Sequence, residues 1–342
     1  MQLKKRLFII KNTNHLTVMD KYLAQNIAGQ NYVLITVNKA QNAEALIKTI
    51  KADSKLFYAG CLFLTTNNIL SLYGRIIRNI LFIKRIKKRL DFVDEILFTN
   101  YKSWSHHYII SQVNSKKIIL LSDGAGILLA SKMRQKSPAL PVSLLPLGNN
   151  GFIGRHLIKI NPIPKLHFFS QIEMEIPASD SLEVFKYAGA KDYKVDPEKI
   201  YFIGSPTVEL DYLKIESKLH YLQELTEAFA GKSITYFAHP KEKANNLENY
   251  KVLARVIQAP LPFEEYLRQE KELPCIIISF FSSVLINLAP VYPDIIFYYM
   301  PLESKDIDVN LEFKEKYTVV MQGFKQITRE NFRRLPHSIS HS

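Results

Sequence analysis

Residues 118–129 read IILLSDGAGILL. Four apolar β-formers, Ile118 to Leu121, predict a strand buried on both faces. Ser122, Asp123 and Gly124 end it, and Gly124 and Gly126 let the backbone turn sharply. An apolar run then resumes at Ile127. A buried strand that closes in a polar, glycine-bearing turn is the repeating unit of a parallel sheet crossed by helices. The pattern recurs in YFIGSPTVELD (201–211), SITYFAHPKEK (233–243) and CIIISFFSSVLINLAP (275–290).

Outward from these stretches, short β-branched runs alternate with longer amphipathic ones. Strands are predicted at 7–11, 32–37, 56–58, 95–99, 117–121, 200–203, 234–238, 275–279 and 294–299. Helices are predicted at 16–28, 41–51, 69–90, 105–113, 208–229, 263–270 and 283–288. The alternation breaks between about Ser137 and Asp196, where Pro138, Pro141, Pro146, Gly148, Gly151, Gly154, Pro162 and Pro164 crowd together. That segment reads as irregular structure and the passage between domains. The expectation is an α/β protein of two Rossmann-like domains, 1–190 and 191–342, facing a cleft at the carboxyl ends of their strands.

The chain has 342 residues, 47% apolar and 23% charged, a globular composition that excludes a disordered or fibrous chain. Its 45 basic against 32 acidic side chains leave a net charge of +13, which suits an anionic partner. Cys61 and Cys275 sit in apolar runs and read as buried, reduced thiols. The apolar core of the N-terminus, Leu7–Ile10, is too short for a secretory signal. The charge-free stretch from Pro274 to Pro293 has a membrane span's length. Ser279, Ser282, Ser283, Asn287 and Pro290 within it favour a strand, a serine turn and a buried helix.

Five strand ends carry chemistry. Asp123 is placed as a general base or as the cap of the next helix. His239 is held out of the α region by Pro240 and can donate to a phosphate, with Lys241 and Lys243 beside it; a structural histidine is the plainer reading. Ser282 and Ser283, before a helix, offer hydroxyls and amides to a phosphate, or merely cap. Gly204 and Ser205 allow a ligand close to the backbone, and Glu209 and Asp211 are expected in the first turn of the following helix. In LPFEEYL (261–267), Glu264 or Glu265 suits a ribose hydroxyl or a helix start.

Asp-Gly, His-Pro and Ser-Ser in this order, each after a strand, resemble the motifs of bacterial sialyltransferases. The resemblance is greatest to the lipooligosaccharide sialyltransferases of glycosyltransferase family 52, from about Leu7 to Phe324. In that family's acid-acid-Gly motif the first acid is Ser122 here. The resemblance implies a GT-B type glycosyltransferase without cofactor or metal. It would invert sialic acid from CMP-sialic acid onto a galactose-terminated glycan or glycolipid of a lipooligosaccharide or capsule. It implies Asp123 as base, with Asp211 or Glu209 as alternatives, and His239 on the leaving phosphate. Gly204, Ser205, Pro240, Glu264, Ser282 and Ser283 would hold the donor. Polysialyl or glucosyl transfer on the same fold is the alternative, and a non-catalytic glycan-assembly protein a third reading.

The helix predicted at 69–90 carries Arg75, Arg78, Lys84, Arg85, Lys87, Lys88 and Arg89 with no acid. It reads as a core helix with a solvated basic end, or as a docking element for an anionic inner-membrane surface in the bacterial cytoplasm. Homo-oligomers are compatible with the sequence. No zinc module, RNA signature or recognition helix supports nucleic-acid binding. Asp306-Ile307-Asp308 matches a metal-binding Asp-x-Asp but follows the last predicted strand. His15, His106, His107, His156, His167 and His220 carry no assignment.

Overall fold

The computed structural model describes residues 3–26, 28–37, 41–63, 69–122, 124–136, 160–186, 189–307 and 310–335. The chain divides into two compact units, Met1–Ser170 with Glu175–Phe185, and Gln171–Met174 with Lys186–Ser342.

The first unit runs β1 (Lys4–Ile10), α1 (Thr13–Gln25), β2 (Gly29–Val37), α2 (Gln41–Ala52), β3 (Leu56–Phe63), α3 (Ile69–Leu90) and β4 (Phe92–Phe98). It continues with α4 (Trp104–Gln112), β5 (Asn114–Leu121), α5 (Gly126–Lys136), β6 (His167–Ser170) and β7 (Ser181–Val184). The strands lie in the order β3-β2-β1-β4-β5-β6-β7. Every pairing is parallel. Strands covered on both faces must be apolar throughout. Accordingly Leu7–Ile10, Ile96–Phe98 and Ile119–Leu121 are all buried. The amino end of the sheet is closed by polar groups. The carboxylate of buried Glu95 accepts from Arg6 Nε at 2.8 Å, Tyr22 Oη at 2.9 Å and Lys4 Nζ at 3.0 Å.

The second unit runs β8 (Lys194–Ile203), α6 (Ile215–Ala228), β9 (Ser233–Phe237), α7 (Ala244–Tyr250), β10 (Arg255–Ile257), α8 (Phe263–Gln269) and β11 (Glu272–Ser279). Next come α9 (Ser283–Leu288), β12 (Ile296–Tyr299), α10 (Ser304–Ile307), α11 (Leu311–Lys325) and β13 (Phe332–Arg334). The order is β10-β9-β8-β11-β12-β13, again parallel throughout. Both sheets are doubly wound, with the order reversing between β1 and β4 and between β8 and β11. Ligands of such sheets bind outside the carboxyl ends at that reversal.

Several expectations need correction. The segment 137–196 is not wholly irregular: β6 and β7 extend the first sheet. Buried Arg134 of α5 fixes their approach through a fork onto Asp180, at 2.6 and 2.7 Å, and Nη1 donates to the Ile163 carbonyl at 3.0 Å. The helix expected from 208 begins at Ile215, because residues 207–213 form turns around the Thr207 carbonyl, which accepts from both Tyr212 N and Leu213 N. Cys61 and Cys275 are half-buried rather than buried, and both are free. A strand, β13, follows Asp306, whose carboxylate accepts from Ser217 Oγ at 2.7 Å and Tyr221 Oη at 2.6 Å. Asp308 lies outside the described residues.

Candidate active site

At the carboxyl edge of the second sheet, the loops after β8 and β9 are tied together by one buried ion pair. Lys218 of α6 and Glu242 are both sealed, with Nζ and Oε1 2.5 Å apart. The same Oε1 accepts from Tyr236 Oη at 2.6 Å. Oε2 accepts the backbone N–H of His239 at 2.7 Å. Lys218 Nζ also donates to the Ser205 carbonyl at 2.8 Å and stands 4.9 Å over the Tyr250 ring. Burial pushes the Lys218 ammonium down and Glu242 opposes that. Two charges in a dry interior persist only with partners of this quality.

The pair explains Gly204. A Cβ there would lie 2.4 Å from Glu242 Oε2, 2.7 Å from Tyr236 Oη and 2.8 Å from the Phe237 carbonyl. Its N–H donates to that same carbonyl at 2.8 Å. The loop after β8 therefore lies against the end of β9, and Ser205 is buried with its carbonyl on Lys218.

His239 is half-buried just beyond β9. Its Nδ1 accepts the Lys241 N–H at 3.1 Å, so the neutral ring carries its proton on Nε2. Burial lowers its pKa, Glu242 opposes that, and Lys241 and Lys218 lower it further. At neutral pH the ring is a hydrogen-bond donor rather than an imidazolium. Pro240 is exposed beside it.

Glu209 joins this group although it precedes α6. It accepts from Lys243 N at 3.0 Å and Asn246 Nδ2 at 2.8 Å, and its Oε2 is sealed without a partner among the described residues. Burial would raise its pKa, but those donors outweigh burial and the net shift is downward. Asp211 is exposed on the same turn with φ 54°, a left-handed conformation that Asp tolerates.

The loop after β11 lies on the other side of β8. Ser279 Oγ donates to the Ile203 carbonyl at 2.8 Å, joining the ends of β11 and β8. Ser282 caps α9, accepting Val284 N at 3.3 Å, which leaves its own proton free to donate. Ser283 follows, half-buried. Glu264, in the first turn of α8, accepts from Asn287 of α9 at 3.5 Å, and Asn287 accepts from Gln171 at 2.8 Å. Gly204, Ser205 and His239 thus gather about the Lys218–Glu242 pair, Glu209 is tied to the residue after Glu242 through Lys243 N, and Glu264 stands with the serine helix. Among the described residues no hydrogen bond joins Ser282 or Ser283 to His239.

Asp123 lies outside the described residues. Its neighbours are described: Ser122 is buried, donating N–H to the Phe169 carbonyl at 2.9 Å. Ser122 Oγ accepts Gly124 N at 3.4 Å, and Gly124 has φ 89°. Among the described residues no group of three His, Cys, Asp or Glu could hold a metal ion.

The Lys218–Glu242 pair was not anticipated from the sequence. A signal existed: Lys218 shares a helical face with Tyr221, Leu222 and Leu225, all buried. A lysine in such a stripe needs a buried acid.

A family model described as alpha-2,8-polysialyltransferase (POLYST) matches residues 6–300. No curated protein matches the chain. Among solved structures, Arabidopsis thaliana UGT89C1 complexed with UDP-L-rhamnose is similar with a TM-score of 0.54 at 10% identity, over 97% of this chain and 85% of that one. A putative UDP-N-acetylglucosamine 2-epimerase from Listeria monocytogenes is similar with a TM-score of 0.49 at 11% identity, over 94% of this chain and 92% of that one. The fold is of the GT-B type, with two parallel-sheet α/β units.

Proposed function

The chain belongs to the alpha-2,8-polysialyltransferase family, and from that premise we propose an inverting sialyl transfer from CMP-sialic acid to a terminal sugar of a bacterial surface glycan. The observation that carries the reading is the family match across residues 6–300. A nucleotide-sugar glycosyltransferase is its coarser form. The edge of the second sheet supports the donor half: a close-approach glycine, an imidazole N–H, two serines and an acid lie at strand ends where doubly wound sheets bind nucleotides.

In the proposed reaction the acceptor oxygen bonds to the anomeric carbon as the bond to phosphate breaks. The acceptor proton passes to a carboxylate and CMP leaves with the electron pair. The transition state is oxocarbenium-like, as in glycoside hydrolysis. His239 Nε2–H and the Ser282 and Ser283 hydroxyls bind the departing phosphate. Gly204, Ser205 and Pro240 seat the nucleotide, and Glu264 takes the ribose. Asp123 is the proposed base. Of the alternatives, Glu209 gives its Oε1 to Lys243 and Asn246 and its Oε2 is sealed, so Asp211, which is exposed, ranks above it. The scheme needs no metal.

Two acceptors compete. A galactose terminus of a lipooligosaccharide follows from the motif resemblance. A sialic acid terminus follows from the family description, and the family match favours it. The test is to incubate the chain with CMP-sialic acid alone, with lactose, and with α2,8-linked disialic acid, in chelator. CMP release with sialylated product is expected; no release under any condition overturns the reading.

We also propose that α3 rests on an anionic inner-membrane face. Ile77 and Leu81 are exposed, 46% and 53%, among exposed Arg78, Lys84, Arg85 and Lys88. Ile80, Ile83, Ile86 and Leu90 hold the opposite face in the core. No described helix is long and apolar enough to cross a membrane.

A further inference from the structure

Glu242 has no role in the reaction scheme above, yet the turn that carries His239 is built on it. Glu242 N donates to the His239 carbonyl at 2.9 Å, and Glu242 Oε2 accepts the His239 N–H at 2.7 Å. One residue thus answers both backbone polar groups of His239. Between them, Lys241 N donates to His239 Nδ1 at 3.1 Å and sets the rotation of the ring. Three bonds within four residues leave Nε2–H as the remaining donor of the neutral ring.

The carboxylate can hold that turn because it is itself held. Glu242 is 6% exposed and Lys218 is fully buried. Glu242 Oε1 takes Lys218 Nζ at 2.5 Å and Tyr236 Oη at 2.6 Å. Lys218 Nζ is fixed in turn by the Ser205 carbonyl and by the rings of Tyr250 and Tyr236, 4.9 and 5.6 Å away. Stability is a poor reason for such a pair, since an apolar pair of similar volume in a dry interior is commonly as stable or more so. What an apolar side chain at 242 loses is the acceptor for the His239 N–H and the charge beside the ring.

The charged and titratable groups around that ring come from several segments. Glu242 and Glu209 raise its pKa, and Lys241 and Lys218 lower it, with Glu242 having the largest effect of the four. Tyr236 of β9 and Tyr250 of α7 stay protonated, because burial and Glu242 push both hydroxyls up. Lys243 gives its N–H to Glu209.

We propose that Glu242 is the positioning residue of His239: its carboxylate, braced by Lys218 and Tyr236, fixes where the imidazole N–H meets the leaving phosphate and sets a negative charge beside the ring. The phosphate contact rests on the transferase reading; the braced turn does not. No bond is made or broken at Glu242, which acts only through His239.

The test uses the full chain and three variants whose folds are checked by circular dichroism. Lys218→Met with Glu242→Gln removes both charges and keeps an amide oxygen for the His239 N–H. The ring, followed by NMR and assigned against His239→Ala, should then titrate at a lower pH, because the Glu242 charge bears on it more than the Lys218 charge does. The kcat for CMP release from CMP-sialic acid should fall about tenfold, with KM within about threefold. Lys218→Met with Glu242→Leu removes the acceptor as well. It should keep the stability of the Gln variant while kcat falls about a hundredfold. Tyr236→Phe strands no charge and takes one donor from Glu242, so kcat should fall about threefold at unchanged KM. An unmoved titration in the folded Gln variant, equal kcat in the Gln and Leu variants, or unchanged kcat in Tyr236→Phe overturns the proposal. His239→Ala turning over at the unmodified rate would instead count against His239 as the donor to phosphate. No CMP release by the unmodified chain would count against the transferase reading.

Discussion

Glu242 accepts three donors from three segments, and its neighbours can be tested one at a time. Lys218→Met strands a carboxylate in a dry interior, which should cost about 3–5 kcal/mol of stability in urea denaturation. A loss under 1 kcal/mol would mean the pair is open to water. Gly204→Ala drives a methyl into the Phe237 carbonyl as well as two side chains, and the carbonyl cannot swing away. The expected loss is about 1–3 kcal/mol, with weaker CMP binding. His239→Ala should retain the fold and lose on the order of 10²–10⁴ in kcat, measured by CMP release. Unchanged kcat would remove the ring from the reaction. The strand-end positions of His239, Gly204 and Ser205 were legible because each stands where a β-run ends in a polar or glycine turn. Glu242 stands three residues beyond His239 in the same quoted stretch, yet its partner is 24 residues earlier on another element. No spacing rule joins them.

Among the elements, α3 was legible to the residue: Ile69–Leu90 has an apolar face at helical spacing and a basic end. Its exposed side mixes Ile77 and Leu81 with four cations, the composition of a surface-lying helix. Binding to vesicles of anionic lipid should fade with added salt. Leu81→Asp with Ile77→Asp should weaken it at least tenfold, as about two lost apolar contacts and added repulsion imply. Equal binding to neutral vesicles would defeat the membrane role. Two elements escaped the pattern. β6 and β7 are four residues each and sit among prolines and glycines, too short for a periodicity to register. The start of α6 was placed seven residues early, because the turns over 207–213 have helix-like composition and only their hydrogen bonds distinguish them.

For the whole molecule, acid stability follows from three buried histidines of the first unit. Burial, with the Lys11 charge, holds His15 at about 3; burial and the Arg134 charge hold His107 at about 4 against its bond to the Tyr101 carbonyl; burial drives His106 well below the ordinary value. Each ring is neutral when folded and protonates near pH 6.5 when unfolded. The unfolded chain therefore binds more protons below that pH, and folding stability falls as pH falls. The expected slope is about 1.4 kcal/mol per pH unit for each ring, from about pH 6.5 down to its folded value. Urea unfolding at pH 7.5, 6 and 5 measures it. His106→Gln should flatten the slope, and a stability independent of pH over that range would show the rings to be solvated.

The sequence alone determined two α/β units, most strand ends and the motifs they present. Backbone period and apolar runs are local properties, written within about ten residues of each other. Only the tertiary structure decided which ends meet. The parallel crossovers bring β8 between β9 and β11, and β1 between β2 and β4, so that neighbours in space are 25 to 90 residues apart in the chain. The Lys218–Glu242 pair and the His15–Thr99 contact exist because burial forces every polar group to find a partner wherever the fold supplies one.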